Sequence, residues 1–241
     1  MKPSPVIVAL DVDSADAAQA IAHRLGPAAD HYKIGLQLLT EAGPGLVREL
    51  VASGKSVFLD LKLHEIPHAA SGAVRAAGRL GATMVTVHAS AGSAVLRAAV
   101  AAAEPFPHLR VVALTVITSL ADTDLPEIGL AASVDTQVQR LAHLAVAAGC
   151  HGVVASAHEA AYLRRTLPAH TLIVCPGIQL PDAGRTDQVR AATPAAAAAA
   201  GATHIVIGRA ITAAPEPQLA WREALAGFQH RAAAPAATPL A

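Results

Sequence analysis

The sequence predicts an α/β chain whose strands close into a (β/α)8 TIM barrel. Eight short β-branched runs punctuate its 241 residues. Most are nearly continuous in apolar residues, as parallel strands covered on both faces should be. Ala/Leu-rich segments with helical spacing lie between them, and strand starts recur roughly 20 to 40 residues apart, the rhythm of repeated β-α units.

The runs are VIVALD (6–11), HYKIG (31–35), SVFLDLK (56–62), TMVTVHA (83–89), RVVALTV (110–116), HGVVAS (151–156), TLIVCPG (171–177) and HIVIG (204–208). Helical segments follow the first three: SADAAQAIAHRLG, EAGPGLVRELVASG and IPHAASGAVRAAGRLG, each closing in Gly, a common helix C-terminal signal. Pro67 ends the third strand and is suited to the first turn of the next helix. The longest connection, 117–150, holds the polar stretch TSLADTDLPEIG and then a helix. A doubly wound sheet is the rival architecture, since periodicity does not reveal closure. Against it, the first strand ends in ALD with no GxGxxG turn to cradle a dinucleotide. No linker interrupts the pattern, so residues 1–228 read as one barrel domain and 229–241 as an Ala/Pro-rich, frayed tail.

Composition excludes several classes of partner. Lys+Arg and Asp+Glu balance at 18 each, which leaves no basic field for nucleic acid or an acidic membrane surface. No run reaches the roughly 18 to 20 apolar residues of a membrane span. The two cysteines, Cys150 and Cys175, lack CxxC spacing, and the N-terminus has no charged-then-apolar leader pattern, so a cytoplasmic setting is expected. The 12 histidines form no HExxH arrangement, and no metal is expected.

A barrel gathers the carboxyl ends of its strands around one mouth. The polar residues falling there are Asp11, Lys33, Asp60, Lys62, His88, Thr118, Ser119, Gly208 and Arg209. Each has a bland reading: Asp11 as a cap, Lys33 as an edge charge, Asp60 and Lys62 as a structural ion pair, His88 as a core histidine. Their convergence favours chemistry, because buried charges destabilise unless paired. By strand alternation Asp60 and Lys62 leave the third strand on one side, with Leu61 and Leu63 on the other. A lysine beside Asp60 and near Glu65 is a proton donor rather than a Schiff-base nucleophile, since opposite charges favour the ammonium. Carboxylates there repel an anionic substrate group, while the ammonium stabilises negative charge left on carbon. That combination suits loss of CO2 followed by protonation of a carbanion. PGI (176–178) and IGRAIT (207–212) follow the last two strands, where small residues and Arg209 fit a phosphate group.

DLKLHEIPH (60–68) resembles the DxKxxDIPN signature of the orotidine 5'-monophosphate decarboxylase family. The resemblance extends over almost the whole chain through VALD, YKIG, VHASAG, LTVITS, PGI, TDQ and VIGRAIT. It implies a cofactor-free decarboxylase making UMP from orotidine 5'-phosphate (OMP), as a homodimer with both sites at the subunit interface. It further implies a charged network of Lys33, Asp60 and Lys62 completed by Glu65 from the partner subunit, with Lys62 protonating C6 of the pyrimidine. Asp11 and Lys33 would hold the ribose, Thr118 or Ser119 the base, and Gln188, Gly208 and Arg209 the phosphate. Glu65 stands where the family has Asp, His68 and Ala69 where it has Asn-Thr, and Gln179 where related bacterial enzymes carry Arg; Arg185 in the same loop could replace that charge. Two rivals remain open: a Mg-dependent enzyme of the hexulose-phosphate synthase and ketogulonate-phosphate decarboxylase group, and a barrel that only binds a nucleotide.

Overall fold

The computed structural model describes residues 3–180 and 192–229. Eight parallel strands close into a barrel in chain order: β1 (Val6–Ala9), β2 (His31–Gly35), β3 (Ser56–Leu63), β4 (Met84–His88), β5 (Arg110–Leu114), β6 (Gly152–Val154), β7 (Leu172–Cys175) and β8 (His204–Ile207). The last strand returns to the first, with Val6 opposite Ile205 and Val8 opposite Ile207. Every predicted run contains one strand, and closure disposes of the doubly wound alternative.

Helices cover the outside: α1 (Ala15–Leu25), α2 (Leu36–Ala52), α3 (Pro67–Arg79), α4 (Ser93–Ala103), α5 (Val134–Ala147), α6 (Ala157–Thr166), α7 (Pro194–Ala199), α8 (Arg209–Thr212) and α9 (Pro217–Gln229). The capping chemistry is visible in the sequence. The Ser14 side chain accepts the Ala17 N–H to start α1, the Ser133 side chain accepts from Thr136 to start α5, and Pro67 occupies the first turn of α3. The second helix begins five residues before the quoted EAGPGLVRELVASG segment, because Leu36–Thr40 continue directly out of β2. A break at Gly43, where φ is +66°, lets the chain turn before Pro44, so α2 is kinked rather than continuous. The expected tail from 229 onward starts at the last residue of α9, and 230–241 lie outside the described residues.

Two apolar layers hold the barrel. Ile7, Ala9, Phe58, Met84, Val112, Leu114, Val154, Val174 and Val206 fill its interior. The opposite faces of the same strands pack against the helices, with Val8, Ile34, Leu59, Val85 and Ile205 all buried. Both faces are therefore covered, which is why the strands read as unbroken apolar runs. Valine is the commonest of them because a closed interior favours compact branched side chains, and Phe58 is the single large ring among these interior residues.

Candidate active site

Two residues beyond Phe58 on β3, the strand period turns Asp60 inward as well. Lys33 is registered between Ala9 and Phe58, so it also faces into the barrel, one layer below the mouth. Asp11 follows the end of β1. These positions produce an alternating row of charges. The Lys33 ammonium lies 2.8 Å from Asp11 Oδ1 and 3.7 Å from Asp60 Oδ2, and the Lys62 ammonium donates to the same Asp60 Oδ2 at 2.8 Å. The side chains of Lys33 and Asp60 are only 11% and 13% exposed, so neither charge could remain there without its neighbours.

Lys62 reaches Asp60 by a different route from the regular alternation expected of the strand. Leu59 pairs with Val85 but Leu63 pairs with Val87, so β3 carries surplus residues and bulges between them. Lys62 itself has φ of +48°, a left-handed conformation that costs roughly 1 to 2 kcal/mol for a residue with a Cβ. The correction is one of cause: the acid and the ammonium do meet, through a bulge and a strained residue. Its backbone N–H is taken by the Thr86 hydroxyl at 2.8 Å, which in turn donates to Asp60 Oδ1 at 3.0 Å. Sequence reading passed over Thr86; its signal is a polar side chain two residues after inward-facing Met84 in the otherwise apolar MVTV run.

The row borders an open cavity of about 410 Å³, within the range of small-molecule sites. Asp11, Lys33, Asp60 and Lys62 line one part, while Phe58, Leu114, Val154 and Val206 contribute apolar surface. Thr118 lines the cavity; Ser119 is exposed and does not line it. Gly177, Gln179, Gly208 and Arg209 line it as well, from the loops after β7 and β8. Gly177 holds φ of +74°, and the Gln179 N–H donates to the Ala192 carbonyl beside a parallel bridge between Ile178 and Ala192. Arg185 and Gln188 lie outside the described residues.

Two other residues sit apart from the row. Glu65 is exposed, and its carboxylate accepts the N–H of Ile66. His88 ends β4 but does not line the cavity; its ring lies 5.3 Å from that of His64, and its Nδ1 is 2.6 Å from the Ser90 hydroxyl. Burial, followed by the neighbouring His64 and Lys62 charges, holds His88 below the ordinary imidazole value. Cys150 and Cys175 are free and buried, with burial pushing each thiol up to about 12. Among the described residues no cluster of His, Cys, Asp or Glu is arranged to hold a metal ion, and no helix is long and apolar enough to cross a membrane.

A parallel eight-stranded barrel with ion-paired acids and lysines at the carboxyl ends of its strands, facing a cavity of metabolite size, defines a TIM-barrel enzyme acting on a small molecule. Comparison with known proteins narrows the class. The model of the "Orotidine 5'-phosphate decarboxylase / HUMPS family" matches residues 4–224. The orotidine 5'-phosphate decarboxylase of Anaeromyxobacter dehalogenans is 45% identical over 229 residues, covering 95% of this chain and 100% of that protein. The one from Halorhodospira halophila is 48% identical over 221 residues, covering 90% and 93%. The crystal structure of orotidine 5'-phosphate decarboxylase from Lactobacillus acidophilus superposes with a TM-score of 0.84 at 33% identity, covering 93% of this chain and 99% of that one. This chain belongs to the orotidine 5'-phosphate decarboxylase / HUMPS family and is an enzyme of it.

Proposed function

We propose that the chain is a carboxy-lyase that converts OMP to UMP and CO2 in pyrimidine biosynthesis, with no metal and with Lys62 as the proton donor. One observation carries this reading: Asp60 Oδ2 is shared by two ammonium groups, with Lys62 at 2.8 Å and Lys33 at 3.7 Å, on the wall of the cavity. A substrate carboxylate seated beside Lys62 also faces the Asp60 carboxylate. Their repulsion is relieved as the C6–carboxyl bond breaks and CO2 leaves. The electron pair stays on C6, where the Lys62 ammonium stabilises it. A proton then passes from Nζ to C6, giving UMP, and water returns a proton to the amine. Asp11 and Lys33 bind the ribose, Thr118 the base, and Gly208 and Arg209 the phosphate, helped by Gln179, Gln188 and Arg185.

The donor set supports chemistry without a metal. Asp11 and Asp60 are each already neutralised by an ammonium, so a divalent cation would have to displace Lys33 from between them. We assign the functional unit as a homodimer in which Glu65 of one protomer completes the partner's network. Glu65 is exposed, as a residue crossing an interface must be in the separate chain, and it adjoins Ile66, an apolar side chain 65% exposed. The assigned setting is the cytoplasm, which the two free thiols suit. The test follows the fall in orotidylate ultraviolet absorbance after adding purified protein, with and without EDTA, beside Lys62→Ala. The wild type is expected to turn over with EDTA present, and the variant to lose at least about a thousandfold in kcat. Activity abolished by EDTA, or retained by the variant, would refute the mechanism.

A further inference from the structure

We propose that Thr86 is a positioning residue for the proton donor, its single hydroxyl setting both the backbone of Lys62 and the carboxylate of Asp60. The inference rests on the assignment of Lys62 and Asp60 above and goes beyond it, because Thr86 does not line the cavity.

Geometry leaves one reading of the hydroxyl. A backbone N–H can only donate, so Thr86 Oγ1 accepts from Lys62 at 2.8 Å. An ionised carboxylate can only accept, so the same oxygen donates its proton to Asp60 Oδ1 at 3.0 Å. Thr86 is fully buried, out of reach of bulk solvent. In a regular parallel ladder the Lys62 N–H would bond a carbonyl of the neighbouring strand. The bulge between Leu59 and Leu63 moves it out of register, and the Thr86 side chain takes it instead.

Lys62 is the one non-glycine with positive φ among the described residues, and such a conformation persists only where its surroundings hold it. Thr86 is the group that holds this one. It also divides the roles of the two Asp60 oxygens. Oδ1 is anchored by the hydroxyl, which leaves Oδ2 aimed at the two ammonium groups. Loss of the hydroxyl frees the Lys62 backbone and the Asp60 carboxylate together, although neither side chain has been changed. Since the residues assigned to the phosphate follow β7 and β8, three or four strands round the barrel from β3, the fault should appear in the chemical step and not in binding.

The experiment compares Thr86→Val, which keeps the shape and removes the hydroxyl, with Thr86→Ser, which keeps the hydroxyl, by steady-state decarboxylation of OMP. Thr86→Val is expected to lose on the order of 100-fold in kcat with KM within about threefold, the usual consequence of misplacing a reacting group by about 1 Å. Thr86→Ser is expected to stay within about threefold of the wild type in both constants. Wild-type kcat in Thr86→Val, or an equal loss in Thr86→Ser, overturns the proposal. Should Thr86→Val fail to fold, Thr86→Ala against Thr86→Ser makes the same comparison, and wild-type kcat in Ala overturns it. Lys62→Ala run alongside separates the two levels. An active Lys62→Ala refutes the proton-donor assignment itself, whereas an inactive one beside a fully active Thr86→Val refutes only the role of Thr86.

Discussion

Asp60 gives each carboxylate oxygen a different partner set, and the charges around it are unequally dependent on one another. Lys33 stands between an exposed acid, Asp11, whose side chain is 59% exposed, and a half-buried one, Asp60, at 13%. Water reaches the Asp11 carboxylate more readily than that of Asp60. Asp11→Ala should therefore cost about 1 kcal/mol of stability, since Lys33 loses its 2.8 Å partner but keeps Asp60 at 3.7 Å, while raising KM through the lost ribose contact. Lys33→Ala should cost more, about 2 to 3 kcal/mol, because it removes a charge from a half-buried carboxylate that keeps Lys62 as its one ammonium partner. Urea unfolding of the two variants checks this order, and equal losses would contradict it. Residue types at the mouth were legible in the sequence because charges interrupt apolar runs. The shared use of Asp60 Oδ2 was not, since no spacing rule tells which oxygen faces which ammonium.

At the scale of elements, β6 is the thinnest strand, with only Gly152–Val154 in the ladder, and it approaches β7 very closely. A Cβ built on Gly152 would lie 2.4 Å from Leu172 Cβ and 2.5 Å from the Leu172 carbonyl oxygen. Backbone cannot step aside as a side-chain tip can, so glycine is required by proximity. Gly152→Ala should destabilise by about 2 to 3 kcal/mol, lowering Tm by roughly 5 to 10 °C for a chain of this size. A calorimetric scan decides it, and an unchanged or raised Tm would show that the strands can separate cheaply. Element positions were readable from runs, caps and Pro67. The bulge in β3 and the kink at Gly43 were not, because each depends on the neighbour against which the element packs.

Across the whole molecule, three imidazoles are held below their ordinary value: His31 and His151 by burial, and His88 by burial and its cationic neighbours. His31 lies under the barrel with Nδ1 3.1 Å from the Ser4 carbonyl and Nε2 without a hydrogen-bond partner among the described residues, and His151 Nδ1 accepts the Val111 N–H at 3.0 Å. All three are neutral in the folded chain at pH 7 but ordinary imidazoles in the unfolded one. Below about pH 6.5 the unfolded chain takes up protons that the folded chain refuses, so their contribution to stability falls with falling pH until the folded imidazoles titrate too. Urea midpoints measured from pH 7.5 down to 5.5 should decline, with a shallower slope in His31→Gln; a flat profile would contradict the assignment. By itself the sequence determined the eight strands, their alternation with helices and the charged residue types at the strand ends, because periodicity and chemical type are local properties of the chain. Only the tertiary structure decided that the barrel closes, that Lys62 is bent out of the ladder, and that Thr86 bridges its N–H to Asp60, because those facts arise from contacts between residues far apart in sequence.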